Sequence, residues 1–362
     1  MQKKLIALAI AGLSSAAFAQ SNVTISGNMD LGYYSGSFQT TTAMDNKTAA
    51  AANGSSTSSL TFSGSEALGG GMKAGFVMST DYTAGGNATN FLNSQNFLEL
   101  AGNWGSLKLG NINNAALIAN MGSQPYGTAI GSANSGNFSR LSRAGNNGAF
   151  GAVVNEGETV GATGAPTSGA RMVRTNNSMM YSTPSFSGFS ASYQWAAKNA
   201  DAAAAGDTIG LQELGLAYNN GPINVWFTNT QMSAGVDGVA PLNANEKVTH
   251  NQLTGNYTFG PATVYAGWTS SKSSVAATAD SRSWNLALKY AFTGALTGGI
   301  NVVRVDDKLT LNQDRSLTGL GLDYAMSKRT TAYGRYENGD NDKSNGATGK
   351  FTRYQVGLRH SF

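Results

Sequence analysis

The chain has no cysteine in 362 residues. That excludes a disulfide scaffold and thiolate metal sites, and it leaves export to an oxidising compartment unproblematic. Histidine is limited to His250 and His360, far apart and without ligand spacing. Charged residues make up 12% of the chain, about half the usual globular share. Proline is scarce, at 6 residues. After residue 19 no apolar run reaches the length of roughly 20 residues that a membrane helix needs. Catalytic signatures are missing as well. No nucleophile elbow surrounds any of the serines, and the glycine-rich stretches lack the lysine and strand–helix setting of a phosphate loop. Glu156 and Glu158 read as a solvated loop pair. The reading is therefore of a protein that is not an enzyme and needs no metal or cofactor.

What is present begins with residues 1–19. Lys3 and Lys4 form a charged start, 5–13 an apolar stretch, and Ala17-Phe18-Ala19 a small-residue cleavage site, the layout of a secretory signal. The mature chain is expected to span 20–362 as one domain. Loss of two lysines lowers the formal charge from +4 to +2, and with no basic patch this disfavours nucleic acid as a partner.

The mature part repeats one unit: strand, tight turn, strand, long polar loop. The closing stretch sets the pattern. Phe362, His360, Leu358, Val356 and Tyr354 share one face, and Ser361, Arg359, Gly357, Gln355 and Arg353 share the other. The stretch 283–292 is the clearest, with Trp284, Leu286, Leu288, Tyr290 and Phe292 alternating with small and polar residues. About sixteen such strands are expected. Short connections carry Gly, Pro and Asn, as hairpin turns require. Long ones (35–58, 83–95, 233–247, 272–282, 338–350) are polar and low in complexity. Strict short–long alternation has no purpose in a soluble sandwich. It fits a transmembrane antiparallel β-barrel, apolar outside and wet within, with aromatics such as Tyr33, Tyr218, Phe259, Phe292 and Tyr324 at the interfaces. The mean hydropathy of −0.22 is compatible, because each lipid-facing residue is diluted by a lumenal neighbour. About sixteen strands enclose an aqueous channel.

Four stretches resemble the general diffusion porins of Gram-negative outer membranes, of the betaproteobacterial type. They are Gly64-Ser65-Glu66-Ala67-Leu68-Gly69-Gly70-Gly71-Met72-Lys73-Ala74, the run 178–189 (SMMYSTPSFSGF), the run 320–330 (LGLDYAMSKRT) and Val356-Gly357-Leu358-Arg359-His360-Ser361-Phe362. The resemblance implies a sixteen-stranded barrel in the cell outer membrane, among its lipids and lipopolysaccharide. It also implies a homotrimer, passive diffusion of small hydrophilic solutes, and a third long loop folded into the lumen. The pattern of Tyr354, Val356, Leu358, His360 and Phe362 resembles the signal read by the outer-membrane assembly machinery.

The longest connection, 112–177, follows the fifth strand, where the family's constriction loop sits, and 113–121 reads as a short helical turn in it. Lumenal parity assigns Asp30, Lys73, Glu99, Lys108, Lys289, Asp323, Arg335, Arg353 and Arg359 to the wall. The loop offers Arg140, Arg143, Arg171 and Arg174, which either face the eyelet, tether the loop to wall acids or lie solvated outside. Where many family members carry inward cations, this chain has Ser59, Ser63, Asn111 and Met180. Much of the cationic ladder is absent, so weak anion selectivity or near neutrality is expected. The alternative is a substrate-specific porin for an organic anion or a sugar, for which the inward aromatics Tyr265 and Tyr333 are few. A barrel enzyme or an adhesin fits less well.

Overall fold

The computed structural model describes residues 22–39, 44–52, 54–82, 91–127, 129–132, 174–197, 210–233, 247–274, 281–307, 314–341 and 350–362. The strands are β1 (Asn22–Gln39), β2 (Met44–Ala52), β3 (Ser59–Gly69), β4 (Met72–Asp81), β5 (Asn96–Gly102), β6 (Gly105–Asn113), β7 (Arg174–Ser182), β8 (Phe189–Ala196) and β9 (Gly210–Asn220). They continue as β10 (Ile223–Ser233), β11 (Lys247–Phe259), β12 (Ala262–Ser273), β13 (Ser281–Ala291), β14 (Leu296–Asp307), β15 (Arg315–Ala325), β16 (Thr330–Asn341) and β17 (Phe351–Ser361). Among the described residues one helix, α1 (Ala115–Gly122), interrupts the series after β6.

From β3 onward each strand pairs antiparallel with the next, and β1 pairs with β17 from Asn28↔Ser361 to Phe38↔Phe351, sealing the ring. Seventeen segments fill sixteen wall positions. The first half of β1 pairs with β3 and its second half with β2, so β2 and β3 together occupy one place in the barrel. This corrects the expectation that 35–58 is a loop. Residues 44–52 (MDNKTAAAA) lack an alternating apolar face, and it is backbone pairing with β1 that makes them a strand. Likewise Arg174, expected in the long loop, begins β7.

Turn chemistry follows the sequence. Between β3 and β4 the ladder slips by one residue at Ala67/Gly69, and Gly69, Gly70 and Gly71 all hold positive φ, which side chains with a Cβ tolerate poorly.

The outer face carries Ile25, Leu98, Leu216, Leu253, Leu286, Leu322, Val356 and Leu358, all exposed. Aromatic neighbours collect near strand ends on this face: Phe189 and Tyr218 lie 4.4 Å apart, and Tyr290 and Phe292 5.3 Å apart. No described helix is long and apolar enough to cross a membrane. The apolar belt belongs to the strands, as a barrel in lipid requires. Leu286, at the middle of β13, is 60% exposed on that belt. Leu286→Arg is expected to destabilise the barrel by about 2–4 kcal/mol, measured by reversible folding into phospholipid vesicles.

Candidate pore constriction

Inside the ring, residues 114–127 and 129–132 follow the end of β6 and lie along the inner faces of β9 to β16. The helix has no side-chain cap of its own and no charged residue in its end turns. The wall completes it. The buried Glu213 carboxylate of β9 accepts the Ala115 N–H and, at 2.7 Å, the Thr230 hydroxyl. An acid there complements both the free N–H groups and the positive end of the helix dipole. Along β11, Gln252 donates to the Ala116 carbonyl at 3.2 Å, Thr254 to Ala119 at 2.8 Å and Asn256 to Gly122 at 2.8 Å. Those three alternate along one strand face and meet carbonyls three residues apart on the helix. Gly122 rests against Trp226, whose ring occupies the space a Cβ would need.

The chain then crosses the remaining strands. Asn285 donates to the Ser123 carbonyl at 2.7 Å, Lys289 to Pro125 at 3.5 Å, Tyr126 to Gly321, and Asn301 to Ser132. The Gly131 N–H donates to Glu337 at 3.2 Å. Burial pushes the Tyr126 phenol above its usual range. The Arg335 guanidinium lies 4.2 Å from the Tyr126 ring and 2.7 Å from Asp323.

The expected wall residues all face inward, but the intruding chain divides them. Arg335 and Arg353 are buried, and Arg353 pairs with Glu337 at 2.9 Å. Asp30 is fully buried and takes N–H groups of Ser55 and Ser56 and the Tyr333 hydroxyl. Met180 faces inward yet is buried beside Gln194, so it fills wall space rather than lining open water. Parity predicts side but not cover, which is why these four look accessible in the sequence. On the opposite side Lys73 is exposed and Glu99 and Lys108 are half-buried, Lys108 4.0 Å from Glu99 and 4.8 Å above the Phe97 ring. Lys73 and Glu99 also line a cleft of about 430 Å³ toward the β3–β4 and β5–β6 turns. Arg174 pairs with Asp81 at 3.2 Å and with Asn113, at the root of the loop. Arg140, Arg143 and Arg171 lie outside the described residues. The sequence reading missed Glu213, Trp226 and the amide series. The polar alternation of Gln252, Thr254 and Asn256 is their one visible signal.

Replacing Glu213 by Ala leaves the Ala115 N–H unpaired in a buried site. Amide exchange across α1 is expected to quicken by about tenfold, the equivalent of roughly 1.4 kcal/mol, read by hydrogen exchange of the folded protein in detergent.

The family model for Gram-negative porins matches residues 5–344. Outer membrane porin protein 32 of Delftia acidovorans is 29% identical, with both chains fully covered. Among solved structures, the anion-selective porin from Comamonas acidovorans superposes with a TM-score of 0.77 at 24% identity, covering 95% of this chain and 100% of that one. The trimer form of OmpT from Vibrio cholerae superposes with a TM-score of 0.64 at 12% identity, covering 94% and 99%.

Proposed function

The chain belongs to the Gram-negative porin family, and from that premise we propose that its outer-membrane diffusion channel is weakly anion-selective or close to neutral. One observation carries this reading: the described part of the connection that lies inside the barrel, 114–127 and 129–132, contains no charged residue. Selectivity then falls to the wall. Among the described residues, Lys108, Arg174, Arg335 and Arg353 sit beside Glu99, Asp81, Asp323 and Glu337. Of the wall charges named above, that leaves Lys73, Lys289 and Arg359 against Asp30 and Glu213, a surplus of one positive charge. A surplus so small, screened over about 8 Å at physiological salt, supports a mild preference and no more. The superposed protein from Comamonas acidovorans is an anion-selective porin, and a slight positive surplus in this wall is in keeping with that relative.

The family and the relatives are channels rather than enzymes. We further infer a homotrimer, in line with the trimer form of the Vibrio protein, and removal of residues 1–19 on export. The outward row Tyr354, Val356, Leu358, His360 and Phe362, exposed along β17, suits recognition by the assembly machinery. Lipid and lipopolysaccharide then surround the apolar belt, and small hydrophilic solutes use the lumen.

The test is the reversal potential of the refolded protein in a planar bilayer under a potassium chloride gradient. The expected permeability ratio of chloride to potassium lies between about 1 and 3, and strong cation preference would sink the reading. Lys108→Glu reverses a charge on the open side. At about 8 Å in water this changes the local potential energy of a monovalent ion by roughly 1 kcal/mol before screening, so the ratio is expected to fall about threefold.

A further inference from the structure

The break between β2 and β3 has a consequence for the lumen. Asn28 of β1 faces Ser59, and Leu31 faces Ala52. Between those two pairs β1 advances three residues while its partner advances seven, so four residues have no place in the wall. They turn inward. The Ser55 and Ser56 N–H groups donate to one oxygen of the inward Asp30 carboxylate at 2.7 and 2.6 Å. The other oxygen takes the Tyr333 hydroxyl at 2.6 Å. Asn28 donates to the Thr57 carbonyl at 2.9 Å, and Ser58 pairs with the Asp30 backbone. Gly54 packs so closely on Gln355 and Tyr333 that a Cβ there would lie 2.4 Å from the Gln355 amide. Arg335 reaches Ser55 at 3.3 Å with the same guanidinium that stacks on Tyr126 of the constriction loop.

We propose that residues 54–58 form a second constriction element, with Asp30 as its positioning residue, joined to the first through Arg335. The two intrusions together cover the inner face from β9 round to β1. Among the described residues, the side left uncovered is the one lined by Lys73, Phe97, Glu99 and Lys108, and the strap contributes to the size limit of the channel beside the loop after β6. An ordinary surface loop would have no need of a buried carboxylate gathering two backbone N–H groups, and such charge-assisted bonds hold their partners firmly.

The proposal rests on the channel reading and is tested apart from it. Deleting residues 54–57 lets β2 and β3 run on as one strand in the register β1 already sets. In 1 M potassium chloride, where charge fields reach only about 3 Å, single-channel conductance of this variant is expected to rise by roughly 1.5-fold, the order set by clearing a few side chains from a barrel of this width. Asp30→Ala is expected to move conductance in the same direction and to add nothing in the deletion background. A deletion variant conducting like the unaltered protein overturns the strap, additivity overturns the role of Asp30, and an unaltered protein that passes no current overturns the channel reading instead. Should the deletion variant not fold, Thr57→Cys supplies the measurement. The chain has no other cysteine, and Thr57 is exposed. A cationic methanethiosulfonate is expected to lower the current of this variant in steps and to leave the unaltered channel unchanged. Full current after labelling confirmed by mass would refute the proposal.

Discussion

A backbone N–H or carbonyl without a partner costs several kcal/mol in hydrocarbon, and the architecture of this protein answers that cost twice. In the wall the answer is closure: the β1–β17 ladder leaves no sheet edge facing lipid. In the lumen the difficulty returns, because a chain folded through a narrow interior loses much of its water. There the wall lends its side chains. Gln252, Thr254, Asn256, Asn285 and Lys289 donate to carbonyls of the intruding chain. The inner face is polar because it holds backbone as well as because it meets water.

The same need explains the acids. Glu213 holds the N–H of Ala115, Glu337 that of Gly131, and Asp30 those of Ser55 and Ser56. In each case a buried wall carboxylate captures the backbone of a segment that enters the lumen. A carboxylate with N–H donors on it is far less costly to bury than a bare one. The division of labour is consistent: amides, a hydroxyl and the Lys289 ammonium hold carbonyls, carboxylates hold N–H groups, and the described intruding residues 114–127 and 129–132 carry no charge themselves.

Much of the wall was legible in the sequence. Period-2 alternation is strong wherever one face meets lipid and the other water, as on β13, where Trp284, Leu286, Leu288 and Tyr290 are all exposed outward. The helical turn near 113–121 was legible too, and stands as α1. β2 was not, because its alanine-rich stretch carries no facial contrast and only its pairing with β1 defines it. At the site, parity put Asp30, Arg335 and Arg353 on the inner face. Nothing in a single chain's periodicity says that other backbone covers them. The role of Glu213 was hidden for the same reason: its partner, Ala115, lies 98 residues away.

Burial of the acids also determines where the field of the channel comes from. Asp30 and Glu213 sit under chain that excludes water, and Asp323 and Glu337 each face an arginine within 3 Å. Pairs that close largely cancel at the distance of a passing ion. Changing any of these acids alters the position of the segment it holds before it alters the potential. Lys73, Glu99 and Lys108 are in the opposite situation, since they are exposed or half-buried and no intruding backbone bonds to them among the described residues. On the proposed channel reading, shape and selectivity then fall to different residues on opposite sides of one lumen. The first set can be altered only at a cost in structure, and the second is free to vary in charge while the barrel stays as it is.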